Sequence, residues 1–173
     1  PQWHFVIIGP VVKIDPATLP QGENIHYLGS KSYEELPIYL SGWDIATCLF
    51  ARNESTQYIS PTKTPEYLAG GKPVISTSIK DVVDTYGKNE LVHIADTAGE
   101  FIDCFEKELA KGDKTEWLSR VDLFLLNNSW DNTCADMMDL MRQKLLSKNV
   151  FVRRSKSLIQ PLIDNLSKNI AVL

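Results

Sequence analysis

Short apolar runs alternate along the chain with longer stretches in which apolar residues recur every three or four positions. Five of the short runs are rich in β-branched residues and are apolar at neighbouring positions, a pattern typical of strands buried on both faces of a parallel sheet. These runs are His4–Gly9, Asn24–Gly29, Asp44–Phe50, Pro73–Thr77 and Glu90–Ala95. The alternation predicts strands that are joined by helices.

The stretches between the runs carry the start and stop signals of helices. Ser32 and Glu35 have the spacing of a capping box, and Pro37 suits the first turn of the helix that follows. Gly70 and Gly71 end a later helix. The predicted helices are Pro37–Trp43, Pro61–Gly70, Ser78–Tyr86, Thr97–Ala110 and Lys114–Leu126.

A longer helix is predicted to begin after Ser129, whose hydroxyl can cap it. Its apolar residues recur at spacings of three and four, which is typical of a helix side that faces a core. This apolar stripe consists of Trp130, Cys134, Met137, Met141 and Leu145. We expect the apolar stripe to be buried.

The order of these elements predicts the fold class. Strands that alternate with helices form a parallel sheet with right-handed crossover connections. We therefore predict an α/β fold, a Rossmann-like open parallel sheet with helices on both faces. Of the 173 residues, 1–149 are expected to form this domain and 150–173 a C-terminal helix or linker.

Composition and charge exclude several classes of protein. An apolar fraction of 43% and a charged fraction of 23% are ordinary for a globular domain. The net charge is −4, but residues 140–163 carry six basic and no acidic side chains, so the remainder carries −4 − 6 = −10. An acidic body argues against nucleic-acid binding. The basic residues 140–163 suit either a solvated helix face or contact with an anionic membrane.

The cysteines and histidines give no pattern of a metal site. Cys48, Cys104 and Cys134 are far apart and lack C-x-x-C spacing, which favours free thiols over a disulfide framework or a zinc site. His26 and His93 lie within strand-like runs and are expected to be packed or rim residues rather than ligands. We therefore predict no metal site.

A ligand of a parallel sheet is expected beyond the carboxyl ends of its strands. The long polar loop after the third predicted strand leads into a helix, and Ser60 followed by Pro61 suits a helix start with free amides for an anion. Lys63 adds a positive charge, and Glu66 can accept hydrogen bonds from a sugar diol. Surface charges near a helix start would give the same pattern. No G-x-G-x-x-G, complete Walker A, D-x-D or G-x-S-x-G motif is present.

The run from Ser60 to Val74, which contains K-x-x-E-Y-x-A-x-G-x-P-V, resembles a sequence motif of a known family. Together with Asn24–Gly29, Glu35–Ala46 and the Ser129–Asp131 helix start, it resembles the C-terminal, donor-binding lobe of GT-B glycosyltransferases of the group 1 type. The resemblance runs over about residues 4–148, and its most specific part is the motif around Glu66.

The resemblance implies a site for a nucleoside-diphosphate sugar. Glu66 would bind the ribose hydroxyls, and Lys63 would stabilise the leaving diphosphate; these two are the predicted catalytic residues. The predicted donor-binding residues are Gly9, Pro10, Gly29, Ser30, Lys31, Tyr58, Ser60, Pro61 and Thr62. Tyr58 stands where the family usually has a second glutamate near the donor sugar, so the sequence departs from the family pattern there.

The resemblance also implies an activity, partners and a location. We expect a hexosyltransferase that retains the anomeric configuration in polysaccharide or glycolipid synthesis, with no cofactor and no obligatory metal. An N-terminal acceptor lobe would be needed, so this chain alone is expected to bind but not to catalyse. We expect a cytoplasmic location, with peripheral contact to the inner face of the membrane through 140–163. Two alternatives stay open: a sugar-nucleotide epimerase lobe, and a degenerate, non-catalytic binding or membrane-docking module.

Overall fold

The computed structural model describes residues 3–126, 128–147, 161 and 163–165. Each predicted apolar run contains one short strand, because its apolar residues are the ones that a sheet can bury. The strands are β1 (Phe5–Ile7), β2 (Ile25–Tyr27), β3 (Ala46–Cys48), β4 (Val74–Ser76) and β5 (Val92–Ile94). The α/β class and the strand positions are confirmed.

All the strand pairs are parallel, as the alternation of strands and helices predicts. In the described part of the chain they form two hydrogen-bonded sheets, with the orders β1-β2 and β3-β4-β5. Val6 is opposite His26 in the first sheet. Ile75 of the central strand β4 is opposite Thr47 on one side and His93 on the other. The carboxyl ends of β3, β4 and β5 therefore lie along one edge of the three-stranded sheet.

In the described ranges, six α-helices connect or follow the strands. They are α1 (Leu36–Ser41), α2 (Lys63–Ala69), α3 (Lys80–Val82, continued by a π-helical turn at Val83–Gly87), α4 (Ala98–Ala110), α5 (Thr115–Leu125) and α6 (Trp130–Ser147). Pro37 lies in the first turn of α1, and the Glu35 carboxylate accepts a hydrogen bond from the Ser32 amide at 2.9 Å. A 3₁₀ turn at Pro16–Thr18 was not predicted.

The buried residues are concentrated around the three-stranded sheet. Val74 and Ile75 of β4 are fully buried, and Leu68 of α2, Val82 of α3 and Val121 of α5 are buried with them. Burial of each such side chain contributes about 1.5–3 kcal/mol to folding. By contrast, every residue of β1 is exposed and every residue of β2 is only half-buried. The three-stranded sheet is thus the hydrophobic centre of this part of the chain.

The contacts divide the chain into two compact units, 1–122 and 123–173, and α6 belongs to the second. Ser129 caps α6 as predicted, because its hydroxyl accepts a hydrogen bond from the Asn132 amide at 3.1 Å. The predicted burial of the apolar stripe is wrong: Trp130 is 86% exposed and Met137 59% exposed, and Cys134, Met141 and Leu145 are exposed too. Periodicity identifies the apolar side of a helix but does not supply the element that covers it.

No helix in the described ranges is long and apolar enough to cross a membrane. The predicted boundary between 149 and 150 falls among residues outside those ranges, as do Lys148, Arg153, Arg154 and Lys156 of the basic run. The division into 1–149 and 150–173 stays a prediction.

Candidate functional site

Three loops meet at the carboxyl edge of the three-stranded sheet through one cluster of polar side chains. Arg52 follows β3, Ser78 follows β4 and Asp96 follows β5. Nη1 of Arg52 lies 2.5 Å from Oδ2 of Asp96 and 3.4 Å from Oγ of Ser78. The other oxygen of Asp96, Oδ1, accepts a hydrogen bond from the Ser78 amide at 2.9 Å. We call Arg52, Ser78 and Asp96 the edge cluster.

The ionisation of Asp96 is favoured within the edge cluster. Partial burial raises the pKa of the Asp96 carboxyl, but hydrogen bonds from Ser78 and the charge of Arg52 outweigh burial, so the pKa lies below its ordinary value. Asp96 is therefore an anion at neutral pH and holds one end of the Arg52 guanidinium. No sequence motif marks this cluster, which was not predicted; its only sequence signal is that each member lies shortly after a strand.

The loop after β3 is folded onto itself and onto the strand ends. Oδ1 of Asn53 accepts hydrogen bonds from the amides of Ser55 and Thr56 at 3.0 and 3.1 Å, the pattern of an Asx turn. The Phe50 amide donates to Oγ1 of Thr77 at 3.1 Å, which joins the ends of β3 and β4. This loop thus has a defined conformation at the predicted ligand edge.

Ser60 does not cap the helix that follows it, so this prediction is wrong. α2 begins at Lys63, and Thr62, the residue before it, already has helical dihedral angles and makes no side-chain capping bond. Oγ of Ser60 instead donates to Oδ2 of Asp81 at 2.9 Å. The hydroxyl donates to the segment after β4 because a hydrogen bond to a charged carboxylate is stronger than a capping hydrogen bond from a backbone amide.

Lys63 and Glu66, the predicted catalytic residues, share one side of α2. They are three residues apart, which places them on neighbouring turns of a helix, and both are exposed. Neither makes an ion pair with another of the described residues. Between them, Thr64 is buried and its Oγ1 lies 3.8 Å from the Cys48 sulfur, which attaches α2 to β3. The Glu66 carboxylate is therefore accessible to a ligand.

Five of the predicted donor-binding residues lie beyond the ends of β1 and β2. The Gly9 amide donates to the Gly29 carbonyl at 3.0 Å, which joins the two strand ends. The Lys31 ammonium lies 5.4 Å from the centre of the Tyr39 ring, within the range of a cation–π contact. Pro10 and Ser30 are exposed beside them.

The remaining predicted residues lie in the loop before α2. Tyr58 is 76% exposed, Thr62 is exposed and Pro61 is half-buried. The structure thus places the predicted site residues in two groups, one at the carboxyl edge of each sheet. The binding of a donor by these residues stays a prediction.

The fold is α/β, and the motif around Glu66 resembles one found in glycosyltransferases. In sequence, the chain is 29% identical over 82 residues to a protein of Bacillus subtilis (strain 168) named as a teichuronic acid biosynthesis glycosyltransferase, TuaH. The match covers 46% of this chain and 21% of TuaH. No family model matches the chain. The predicted resemblance to a glycosyltransferase is confirmed.

A comparison of structures gives a weaker similarity. The C-terminal CMP-Kdo binding domain of WaaA from Acinetobacter baumannii superposes with a TM-score of 0.46 and 19% sequence identity. The superposition covers 59% of this chain and 53% of that domain. The chain therefore spans about half of that solved domain and about a fifth of TuaH.

Proposed function

We propose that this chain binds the nucleoside-diphosphate sugar donor of a glycosyltransferase. The observation that carries the proposal is the position of the K-x-x-E-Y-x-A motif. It forms α2, which begins at the end of the long loop after β3, and its glutamate, Glu66, is exposed and without an ion pair in the described ranges. The sequence similarity to a glycosyltransferase supports the same function.

In this proposal each group of residues binds one part of the donor. Glu66 accepts hydrogen bonds from the two ribose hydroxyls, because a carboxylate offers two acceptor oxygens to a diol. The backbone of residues 60–62 and the ammonium of Lys63 bind the diphosphate. Residues 29–31 bind the base, and the loop that contains Tyr58 lies at the sugar.

The reaction we propose is transfer of the sugar to an acceptor, with the nucleoside diphosphate as leaving group. Negative charge develops on the diphosphate as the glycosidic bond breaks, and Lys63 stabilises that charge. The proposal requires no cofactor, and it assigns the acceptor to another part of the enzyme. Retention at the anomeric carbon and a role in polysaccharide or glycolipid synthesis are further parts of the proposal.

Titration calorimetry with UDP, GDP and ADP tests donor binding by the full chain. We expect one of the three to bind, and Glu66→Ala to weaken that binding about ten- to a hundredfold because hydrogen bonds to a charged group are lost. Glu106→Ala, which removes an exposed carboxylate from α4, is the matched control and should bind like the wild type. Negligible heats for all three nucleotides with folded wild-type protein would refute the proposal.

A second candidate function, docking on an anionic membrane, is favoured by one observation. The apolar stripe of α6 is exposed, and at about 100° per residue Arg142 and Lys144 lie on its two sides while Asp136 lies opposite. An interfacial helix has this arrangement, with basic residues beside an apolar side. The run of six basic residues in 140–163 adds attraction to an anionic surface.

Sedimentation with vesicles tests the second candidate. We expect the full chain to bind phosphatidylglycerol vesicles and not phosphatidylcholine vesicles, and added salt to weaken the binding through screening. Met141→Asp should reduce the bound fraction several-fold because it places a charge in the apolar stripe. Gln143→Asp, at an exposed position on the opposite side of the same helix, is the comparison. Equal binding to both kinds of vesicle, or binding that salt does not affect, would exclude this mechanism.

A further inference from the structure

The guanidinium of Arg52 uses only one of its three nitrogens for hydrogen bonds to the described residues. A guanidinium has five N–H donors in a rigid plane. Both protein contacts of Arg52, to Asp96 and to Ser78, are made by a single nitrogen, Nη1. In the part of the chain that the structure describes, Nε and Nη2 make no hydrogen bond, and the side chain is 57% exposed. Three donors of the guanidinium are therefore available to a ligand.

Asp96 is itself fixed, so it can orient Arg52. Its Oδ1 accepts from the Ser78 amide, and its own backbone amide donates to Oε2 of Glu100 at 2.7 Å. Glu100 and Thr97 form a reciprocal capping box at the start of α4. The guanidinium is thus bound to a carboxylate whose position is set by two elements, which reduces the entropy that a ligand must overcome.

An exposed ion pair adds little to folding stability, so stability gives a weak reason for this arrangement. The geometry points instead to an anion-binding role: we propose that Arg52 binds an anionic oxygen group of the donor, and that Asp96 and Ser78 position it. The planar fork of arginine matches the two oxygens of a phosphate or a carboxylate. This inference rests on the proposed donor-binding function.

Two parts of a donor carry such oxygens, namely the diphosphate and the carboxylate of an acidic sugar. The loop of Arg52 also contains Tyr58, which stands where the resemblance to glycosyltransferases places a glutamate near the sugar. A cation in this loop suits an acidic sugar, and it equally suits the diphosphate. The experiment must separate these two sources.

Calorimetric titration of the full chain separates them. The probes are uridine, UDP, UDP-glucose and UDP-glucuronate, and likewise guanosine, GDP, GDP-mannose and GDP-mannuronate. If Arg52 binds the diphosphate, Arg52→Ala weakens binding of the diphosphates about ten- to a hundredfold and leaves the nucleoside unchanged. If Arg52 binds a sugar carboxylate, Arg52→Ala weakens only the binding of the uronate donor to that extent. Arg52→Lys keeps the charge but not the fork, and should fall between wild type and Arg52→Ala.

The control is Arg120→Ala. Arg120 is a second exposed arginine in an ion pair, with Nη1 3.5 Å from Oε2 of Glu90, before the amino end of β5 and so away from the proposed site. It should bind every probe like the wild type. Equal affinities of wild type and Arg52→Ala for every probe, with both folded by circular dichroism, would overturn the inference. No binding of any probe or of ADP by the wild type would instead refute the donor-binding function itself.

Discussion

At the residue scale, the best-defined buried charge is Glu108 of α4. Its side chain is buried, and its Oε1 lies 2.6 Å from Nε2 of His93 and also bonds to Nζ of Lys111. Burial raises the pKa of Glu108, but the hydrogen bonds from Lys111 and His93 outweigh it and hold the pKa below the ordinary value of 4.5. His93 is thus a half-buried residue paired with Glu108, which agrees with the packed or rim position that its place in a strand predicted.

Glu108→Gln should therefore lower the free energy of unfolding by about 1–2 kcal/mol at neutral pH, because it removes charge-assisted hydrogen bonds. A depressed folded-state pKa contributes stability above pH 4.5 that is lost as the pH falls through the folded-state value. The difference between wild type and variant should accordingly shrink below that pH. Urea denaturation at a series of pH values measures it.

Glu106→Gln on the same helix is exposed and should cost almost nothing at any pH. A pH-independent loss of stability in Glu108→Gln would show that shape, rather than charge, explains its effect.

The three cysteines should differ in reactivity. Burial raises the pKa of the Cys48 thiol and also that of the Cys104 thiol, which is less deeply buried. Cys134 is exposed on α6. Because the thiolate is the reactive form, Cys134 should react first with Ellman's reagent in the native protein and Cys48 only on unfolding. Cys134→Ser should remove the fast phase; a fast phase that survives this substitution would contradict the assigned exposures.

At the element scale, the helix ends decide how α2 is placed. The Gly70 amide donates to the Glu66 carbonyl at 3.0 Å, and Gly71 has a φ of +69°, the left-handed conformation that ends a helix. The chain then turns directly into β4. Glu66 thus lies in a short helix that is followed by a backbone conformation which only glycine adopts without strain.

Gly71→Ala should destabilise the protein by about 1–2 kcal/mol, because a Cβ in the left-handed region meets the backbone. Gly42→Ala is the matched control: Gly42 also ends a helix, but its φ is −83° and an added Cβ would have only ordinary contact. It should leave stability unchanged or raise it slightly. Thermal or urea unfolding compares the two, and equal effects would contradict the role of the backbone angle.

At the scale of the whole molecule, hydrophobic burial is uneven. The fully buried side chains surround the three-stranded sheet, and β1 and β2 contribute none of them. A segment that contacts few buried apolar groups has a low free energy of local opening. The two sheets should therefore differ in local stability even though both are parallel and both are hydrogen-bonded.

Two hydrogen bonds of equal length allow a direct comparison by hydrogen exchange. The Ala95 amide donates to the Ser76 carbonyl at 2.9 Å in a buried setting, and the Leu28 amide donates to the Ile7 carbonyl at 2.9 Å in an exposed one. We expect Ala95 to exchange at least ten times more slowly than Leu28. Similar protection factors would mean that the two sheets open together.

Much of the site's framework could be predicted from local sequence. The strand positions follow from the apolar runs, and the end of α2 follows from Gly70 and Gly71. The residue proposed to bind the ribose, Glu66, follows from the motif around it. The capping role of Ser60 could not be predicted, because Asp81, its actual partner, is 21 residues away along the chain. The edge cluster likewise joins residues up to 44 positions apart.

The α/β class, the parallel strands and the resemblance to a glycosyltransferase can be predicted from the amino-acid order alone, since each depends on local periodicity or on a contiguous motif. The division of the strands into two sheets, the exposure of the apolar stripe of α6 and the contact of Arg52 with Asp96 became known from the folded chain. The physical reason is that periodicity specifies which side of an element is apolar, whereas contacts between distant residues depend on how the elements pack.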